Sequence, residues 1–330
     1  MLTLAGACAP LATPPAPAVD GEPGREWRAE RVAVAAQINT ARAAAGLGPF
    51  AYDAALERVG DEHCEILISE GGQGHFSRSG VPPYLRYLLA GGHGFHRENA
   101  AMFSSTAGVP GAAVGRVLAR AVDSMLEEAP PDDGHRRALL DPGATHIGVG
   151  VAVRGGEVRM THEIATEAAA AWSSPPAVAR PREHLAVAGR LAPPWRPLGA
   201  EVLWEPLPRP LPDAELRAIR SYGYPPRRIA FEANRPPGGR SGQRTDGPPA
   251  PTTEAPFSAD RFGNFTLRWV AGPSEGVEIV VISATDGRGR ELVPVAASAT
   301  VVMATGALPS ELALWRGLAV GPASARGDAR

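Results

Sequence analysis

From position 26 onward, apolar residues return at three- and four-residue steps: Trp27, Val34, Ile38, Ala41 and Ala45. That spacing predicts one face of an α-helix. Gly46 and Gly48-Pro49 end it. Asp53 is placed to cap a second helix with Leu56, Val59, His63, Ile66 and Leu67 along one side. Gly71-Gly72-Gln73-Gly74 breaks that helix. Positions 75–110 read as loop-rich with short helical pieces. A third helix follows, with Val114, Val117, Leu118, Ala121, Val122 and Met125 on one face. After Pro130-Pro131 and Gly134, residues 136–140 suggest a short helical turn. Ile147, Val149, Val151 and Val153 then alternate as in a strand, Gly155-Gly156 supplies a turn, and Val158, Met160, His162 and Ile164 return. Helices followed by a late hairpin predict an α+β layered domain over 26–172.

Ser173-Ser174-Pro175-Pro176 and Pro181 mark a linker at 173–184. Beyond it the pattern changes. Strand-like runs fall at 185–191, 201–204, 228–231, 264–270, 277–283 and 294–302, separated by turn residues such as Asp286-Gly287. This predicts a smaller all-β, sandwich-like domain over 185–305. A Pro/Gly-rich loop at 236–255 interrupts it, and 306–330 reads as a C-terminal tail with a short helix at 308–319. Trp195, Trp204, Tyr222 and Tyr224 are aromatic enough for a sugar-binding face, although core packing is the commoner role of such residues.

The 330 residues carry 33 basic and 35 acidic side chains, a net charge of −2. A general polyanion binder needs a clustered basic excess, so nucleic acid is not expected as a partner. No stretch approaches the roughly 20 uninterrupted apolar residues of a membrane-spanning helix. Only Cys8 and Cys64 are present, which excludes a disulfide-rich scaffold and a Cys-built zinc finger. Cys8 sits in an irregular stretch and Cys64 in mid-helix, so the two are not expected to pair. Met1 to Ala7 are mostly small or apolar, and Ala/Pro/Thr-rich sequence follows Cys8 through Pro17. This resembles the cleavage region of a bacterial lipoprotein signal and makes Cys8 a candidate lipid-anchor position. The stretch lacks a basic start and is shorter than the roughly 7–15 apolar residues of a signal core. Residues 1–25 are read as a disordered leader and tether.

Three segments of the first half could carry chemistry: Gly74-His75-Phe76-Ser77, Arg97-Glu98-Asn99-Ala100, and Gly134-His135-Arg136-Arg137 running on to Asp141-Pro142 and Thr145-His146-Ile147-Gly148-Val149-Gly150. Each alone is weak. Their order, behind Asn39-Thr40-Ala41-Arg42, Gly46-Leu47 and Tyr52-Asp53, is more specific. Over about 26–164 the pattern resembles the CAP superfamily, also called SCP-like: cysteine-rich secretory proteins, antigen 5 and pathogenesis-related 1. The closest likeness is to its bacterial extracellular branch. The chain departs from the pattern at Arg97, where the family usually has Gly before Glu-Asn, and at Ser124-Met125, where a Trp is usual. Residues 127–133 lengthen the approach to Gly134-His135, and Thr161-His162 stands where Thr-Gln is common.

The resemblance implies a three-layer α-β-α sandwich with one open cavity gathering two histidines and one or two acids. Carried over residue by residue, these are His75, Glu98 and His135, with Glu127 the candidate second acid. Asn99 is expected to be structural, tying backbone groups together. Neutral imidazoles suit a divalent transition metal, so His75 and His135 are the candidate ligands for zinc or a similar ion. No His-x-x-x-His spacing pre-forms that site, and no cofactor is required. A structural alternative has both imidazoles hydrogen-bonded to Glu98 and to backbone. His63 and Cys64 read as ordinary helix-face residues, His93 and His96 as loop residues that could rim the cavity, and His146 and His162 as half-exposed strand residues.

The leading functional expectation is an exported, non-enzymatic protein of the cell envelope or exterior. It would bind a cell-surface, lipid or protein ligand, with the β domain as an attachment or interaction module. One alternative is a peptidase-like hydrolase, with Glu98 as base on a water held by His75 and His135. Another is a lipid carrier.

Overall fold

The computed structural model describes residues 26–234, 256–287 and 292–318. The leader at 1–25 with Cys8, the loop at 236–255 and the tail after 318 lie outside the described residues. The first half runs α1 (Arg28–Ala44), β1 (Ala51–Tyr52), α2 (Ala54–Glu70), α3 (Pro83–Leu89), β2 (Phe95–Ser104), α4 (Gly111–Leu126), α5 (Gly134–Leu139), β3 (His146–Arg154) and β4 (Glu157–Thr166). Its four strands form one sheet in the order β1-β3-β4-β2. β1 runs parallel to β3, and the other neighbours are antiparallel.

Helices cover both faces of this sheet, giving the three layers expected. α2 begins at Asp53, whose Oδ1 accepts from the amides of Ala55 and Leu56 at 2.6 and 3.0 Å. It lies close against β3 and β4 because glycine meets glycine there. A Cβ on Gly150 would sit 2.1 Å from the backbone of Gly60, and one on Gly148 would sit 2.1 Å from the Glu57 nitrogen. On the opposite face, Ile147, Val149 and Val151 pack with Val34 and Ile38 of α1 and Val114, Leu118 and Val122 of α4. Strand alternation puts the glycines and the valines on opposite sides. Buried Arg42 of α1 ties the end of α5 in place, donating to the carbonyls of Leu139 at 2.8 Å, Asp141 at 3.0 Å and Ala144 at 3.2 Å.

The second half continues with β5 (Ala169–Ser173), β6 (Val178–Ala179), β7 (His184–Leu191), β8 (Arg196–Glu205), α6 (Asp213–Ala218), β9 (Arg227–Glu232), β10 (Phe257–Ala259), β11 (Asn264–Val270), β12 (Gly276–Thr285), β13 (Val293–Val302) and α7 (Ser310–Gly317). Two sheets, β10-β11-β7-β5 and β6-β13-β12-β8-β9, pack face to face as a sandwich. The outer face of the five-stranded sheet packs on α3. Tyr84, Leu85, Leu88 and Leu89 share one apolar cluster with Val277, Ile279, Val301 and Trp315. β12 is therefore covered on both sides, which explains its nearly continuous apolar run.

Two segments differ from the sequence expectation. The stretch read as loop around Arg97-Glu98-Asn99 is the edge strand β2. The stretch read as a linker at 173–184 is woven into the sandwich, with β6 pairing β13. The boundary between the halves falls at the β4–β5 connection, and both halves share the core around α3.

Candidate functional site

The side chains singled out in the sequence cluster around β2. Glu98 is paired across the sheet with Glu163 of β4, and both are buried. Two carboxyls side by side in a dry interior need cationic partners. Glu98 Oε1 meets His75 Nδ1 at 2.8 Å, and its Oε2 accepts from Arg86 Nη2. Arg86, buried on α3, also donates to the carbonyls of His75 at 2.9 Å and Val81 at 3.0 Å. It thereby fixes the loop that carries His75. Glu163 Oε2 meets His96 Nε2 at 2.8 Å, with both side chains fully enclosed. His63 of α2 completes the group, its Nε2 3.2 Å from the Gly74 carbonyl oxygen.

Burial pushes the Glu98 carboxyl above the ordinary range, against the opposing pull of Arg86. Burial acts on Glu163 in the same direction, but the hydrogen bond and charge of His96, with Arg86 and His63 nearby, outweigh it and hold this carboxyl low. Burial and the neighbouring Arg86 push His63 well below the usual imidazole range. Buried atoms without a hydrogen-bond partner concentrate here, namely His63 Nδ1, His96 Nδ1, Glu163 Oε1 and Arg86 Nε.

The edge of β2 is closed by the second half of the chain. The hydroxyl of Tyr224 accepts from the His96 amide at 3.0 Å and donates to the His96 carbonyl at 3.2 Å. The hydroxyl of Tyr222 does the same at Glu98, accepting from its amide and donating to its carbonyl at 3.4 Å. The Tyr222 ring also meets His75 edge-on, with centroids 4.7 Å apart. These tyrosines, for which core packing was the commoner expectation, pack against the apolar cluster around α3 and also seat the second half against the first sheet.

Asn99 follows Glu98 on β2 and so points to the other face. Its Nδ2 donates to the His135 carbonyl at 3.0 Å. His135 opens α5, and its Nδ1 lies 2.5 Å from Glu128 Oε1. Glu128 also accepts from the backbone amides of His135 at 3.0 Å and Arg136 at 3.3 Å. The acid beside His135 is thus Glu128, one residue after the expected Glu127. Glu127 occupies the C-cap of α4 and is exposed. The chain turns only after it, which aims the next side chain at α5.

The structure therefore gathers two separate acid–imidazole pairs, His75–Glu98 and His135–Glu128, attached to opposite faces of one strand. In each pair the carboxylate engages Nδ1 and leaves Nε2 open, the arrangement that orients a metal-ligating histidine. A firm zinc centre normally takes three or four protein ligands. Among the described residues, no three His, Cys, Asp or Glu side chains are placed to hold a metal ion. Among the described residues, the two pairs do not make a tight metal centre.

Arg86, Glu128 and Glu163 were not singled out in the sequence. His96, expected at a loop rim, is fully buried, as is His162, expected half-exposed. Both ring nitrogens of His162 lack a partner. Burial, opposed by the Glu163 charge, lowers this imidazole to about 4. His63 and Cys64 are fully buried, and Cys64 Sγ rests 3.9 Å from Thr161 Oγ1.

Residues 35–166 match the cysteine-rich secretory protein family, CAP, and this part of the chain is a CAP domain. Similar solved structures include an extracellular protein containing an SCP domain from Bacillus anthracis str. Ames, 19% identical over 41% of this chain, with a TM-score of 0.31. The match spans only 40% of that protein's length. An outer surface protein from Borrelia burgdorferi is 18% identical over 42% of this chain and 93% of its own, with a TM-score of 0.33. NaASP2, solved with Zn2+, is 15% identical over 44% of this chain and 83% of its own, with a TM-score of 0.32. No curated protein matches the chain.

Proposed function

We propose that this chain is an exported CAP-domain protein of the cell surface or exterior that works by binding rather than by catalysis. Its fused β-sandwich would serve as the attachment or interaction module. The CAP segment at 35–166 supports this reading, as does the small-residue stretch before Cys8. No helix among the described residues is long and apolar enough to cross a membrane. The observation that carries the non-enzymatic part is the closure of each imidazole onto its own carboxylate. Among the described residues, neither His75 nor His135 hydrogen-bonds a Ser, Thr or Cys side chain that could act as nucleophile. Glu98, the base of the hydrolase alternative, is committed to His75 and Arg86.

Zinc, the ion the open Nε2 atoms suit, is expected to bind weakly, through an imidazole and water. Calorimetric titration of the full chain with zinc, beside a broad peptide-substrate screen, tests the proposal. The expected result is weak binding lost in His135→Ala and no turnover. Turnover that disappears in both His75→Ala and Glu98→Ala would overturn it in favour of a hydrolase.

A further inference from the structure

Beside the second acid–imidazole pair, an open cleft of about 550 Å³ lies between β2 and α5. Arg97, Arg136 and Arg137 reach into its lining, with Leu140 and Pro142 as apolar wall and Asp141 as the one lining carboxylate. Arg97 comes from β2, and Arg136 and Arg137 come from α5. The three guanidinium groups are only partly committed. Arg97 pairs with Asp141 through one nitrogen and lies over the Phe95 ring at 5.5 Å. Arg137 uses Nε toward Asp133 at 3.1 Å, which leaves its two terminal nitrogens open. The Arg136 side chain is exposed and has no partner among the described residues. A guanidinium carries five N–H donors in a planar fork that matches phosphate and carboxylate oxygens. Three of them converge here from two elements, above an apolar wall.

We infer that this cleft is a binding site for a phosphate group carried on an apolar body, with Arg136 as the free cation and Arg97 and Arg137 as flanking donors. Its size suits a small organic ligand. Asp141 works against the anion: it holds Arg97 by one ionic contact and adds a negative charge to the wall. Its Oδ1 meanwhile accepts from the Gly143 amide at 2.7 Å. Asn at this position keeps that acceptor and removes the charge, so Asp141→Asn separates turn geometry from electrostatics. The ligand chemistry fits a soluble phosphate monoester or the headgroup of an anionic lipid, and two arms of one experiment tell these apart.

The full chain is titrated calorimetrically with phenyl phosphate and with inorganic phosphate. It is also sedimented with phosphatidylcholine vesicles with and without phosphatidic acid. Phenyl phosphate is expected to bind saturably and several-fold tighter than inorganic phosphate. Arg136→Ala should weaken it about fivefold, in line with loss of one charge-assisted hydrogen bond at a solvent-facing site. Asp141→Asn should tighten it several-fold, a gain that a merely structural role does not produce. Vesicle binding that needs phosphatidic acid and is lost in Arg136→Ala, without phenyl phosphate binding, assigns the site to a lipid headgroup and sustains the inference. Phenyl phosphate binding without vesicle binding assigns it to a soluble ligand and also sustains it. Absence of saturable binding to every probe overturns the inference. So does phosphate or vesicle binding that is indifferent to both Arg136→Ala and Asp141→Asn.

Discussion

The first sheet buries one face against α2 and α3 and the other against α1, α4 and α5, and the two faces are built on opposite principles. Against α2 and α3 lie His63, Arg86, His96, Glu98 and Glu163, all buried and mostly joined in pairs. Against α1, α4 and α5 lies an aliphatic core, Ile38, Leu118, Val122, Ile147 and Val149, with His162 as its one fully buried imidazole. The aliphatic face gains stability in proportion to the area it removes from water. The ionic face pays desolvation for every charge and recovers it only where geometry supplies a partner. Polar groups without partners mark where that recovery is incomplete, and they occur on both faces. A fold that carries such a face keeps side chains preorganised around β2 at the expense of stability, which is what a binding site requires and a simple core does not.

The sharpest way to break this contrast is to remove the cation that the two acids share. Arg86→Met should leave Glu98 buried without its main counter-charge and beside Glu163. The expected loss is about 3–5 kcal/mol, the cost of breaking a buried ion pair from one side. Denaturant unfolding of the full chain measures it. Adding Glu98→Gln to Arg86→Met should recover part of the loss, because the stranded charge goes with it. A deficit below about 1 kcal/mol in the single variant would show that Arg86 does not carry the ionic face.

On the aliphatic face the corresponding probe is pH. Burial lowers His162 from an ordinary value of 6.5 to about 4, with Glu163 on its own strand and His135 on α5 as the charges acting on it. At this site the folded protein therefore binds fewer protons than the unfolded chain between those two values. The stability contributed by a neutral His162 is fully present above pH 6.5 and is lost as pH falls toward 4, by about 3 kcal/mol if the whole shift is expressed. His63 shifts in the same direction and contributes to the same window. His162→Leu isolates one from the other: stability near pH 7 should be unchanged or higher, since two unpartnered nitrogens leave the core. The acid slope should be shallower than in the parent chain. Equal slopes in both proteins would remove His162 from this account.

What the sequence made legible follows from the same contrast. Aliphatic faces announce themselves by period, so α1, α2, α4 and the β3–β4 hairpin were readable from their apolar spacing. Short motifs drew attention to His75, Glu98 and His135, but the expected gathering of all three in one cavity is not what they form: they fall into two pairs on opposite faces of β2. β2 was not readable, because Phe95-His96-Arg97-Glu98-Asn99 places charged or polar residues at both odd and even positions and shows no alternation. Its buried side is ionic rather than apolar. Arg86 left a signal that went unused: a lone charge inside Tyr84-Leu85-Arg86-Tyr87-Leu88-Leu89 has no exposed face to occupy and must find a buried partner. Glu163 gave no comparable sign, since a strand ending in mixed residues reads as half-exposed. Glu128 was missed by one position because the exit angle of α4 decides which of two adjacent acids faces α5. The joining of the halves through Tyr222 and Tyr224 rests on contacts between residues about 125 apart, which no local pattern encodes.

That joint supplies the finest test of how the ionic face is held. An edge strand presents unpaired backbone groups that proteins cover or pair, and at His96 and Glu98 the cover is one phenolic hydroxyl each. Tyr222→Phe keeps the ring against His75 and deletes only the hydroxyl. The Glu98 amide and carbonyl then lose a shared partner, for an expected cost of about 1 kcal/mol. Amide hydrogen exchange reads the effect directly: protection should fall at Glu98 in Tyr222→Phe and at His96 in Tyr224→Phe. Amides of β3 and β4 should keep theirs, because their ladder bonds are untouched. If instead protection falls across the whole sheet in either variant, the tyrosines do not cap single positions. They would then hold the sandwich against the CAP domain as a unit, and the ionic face would depend on the second half of the chain for its integrity as well as for its cover.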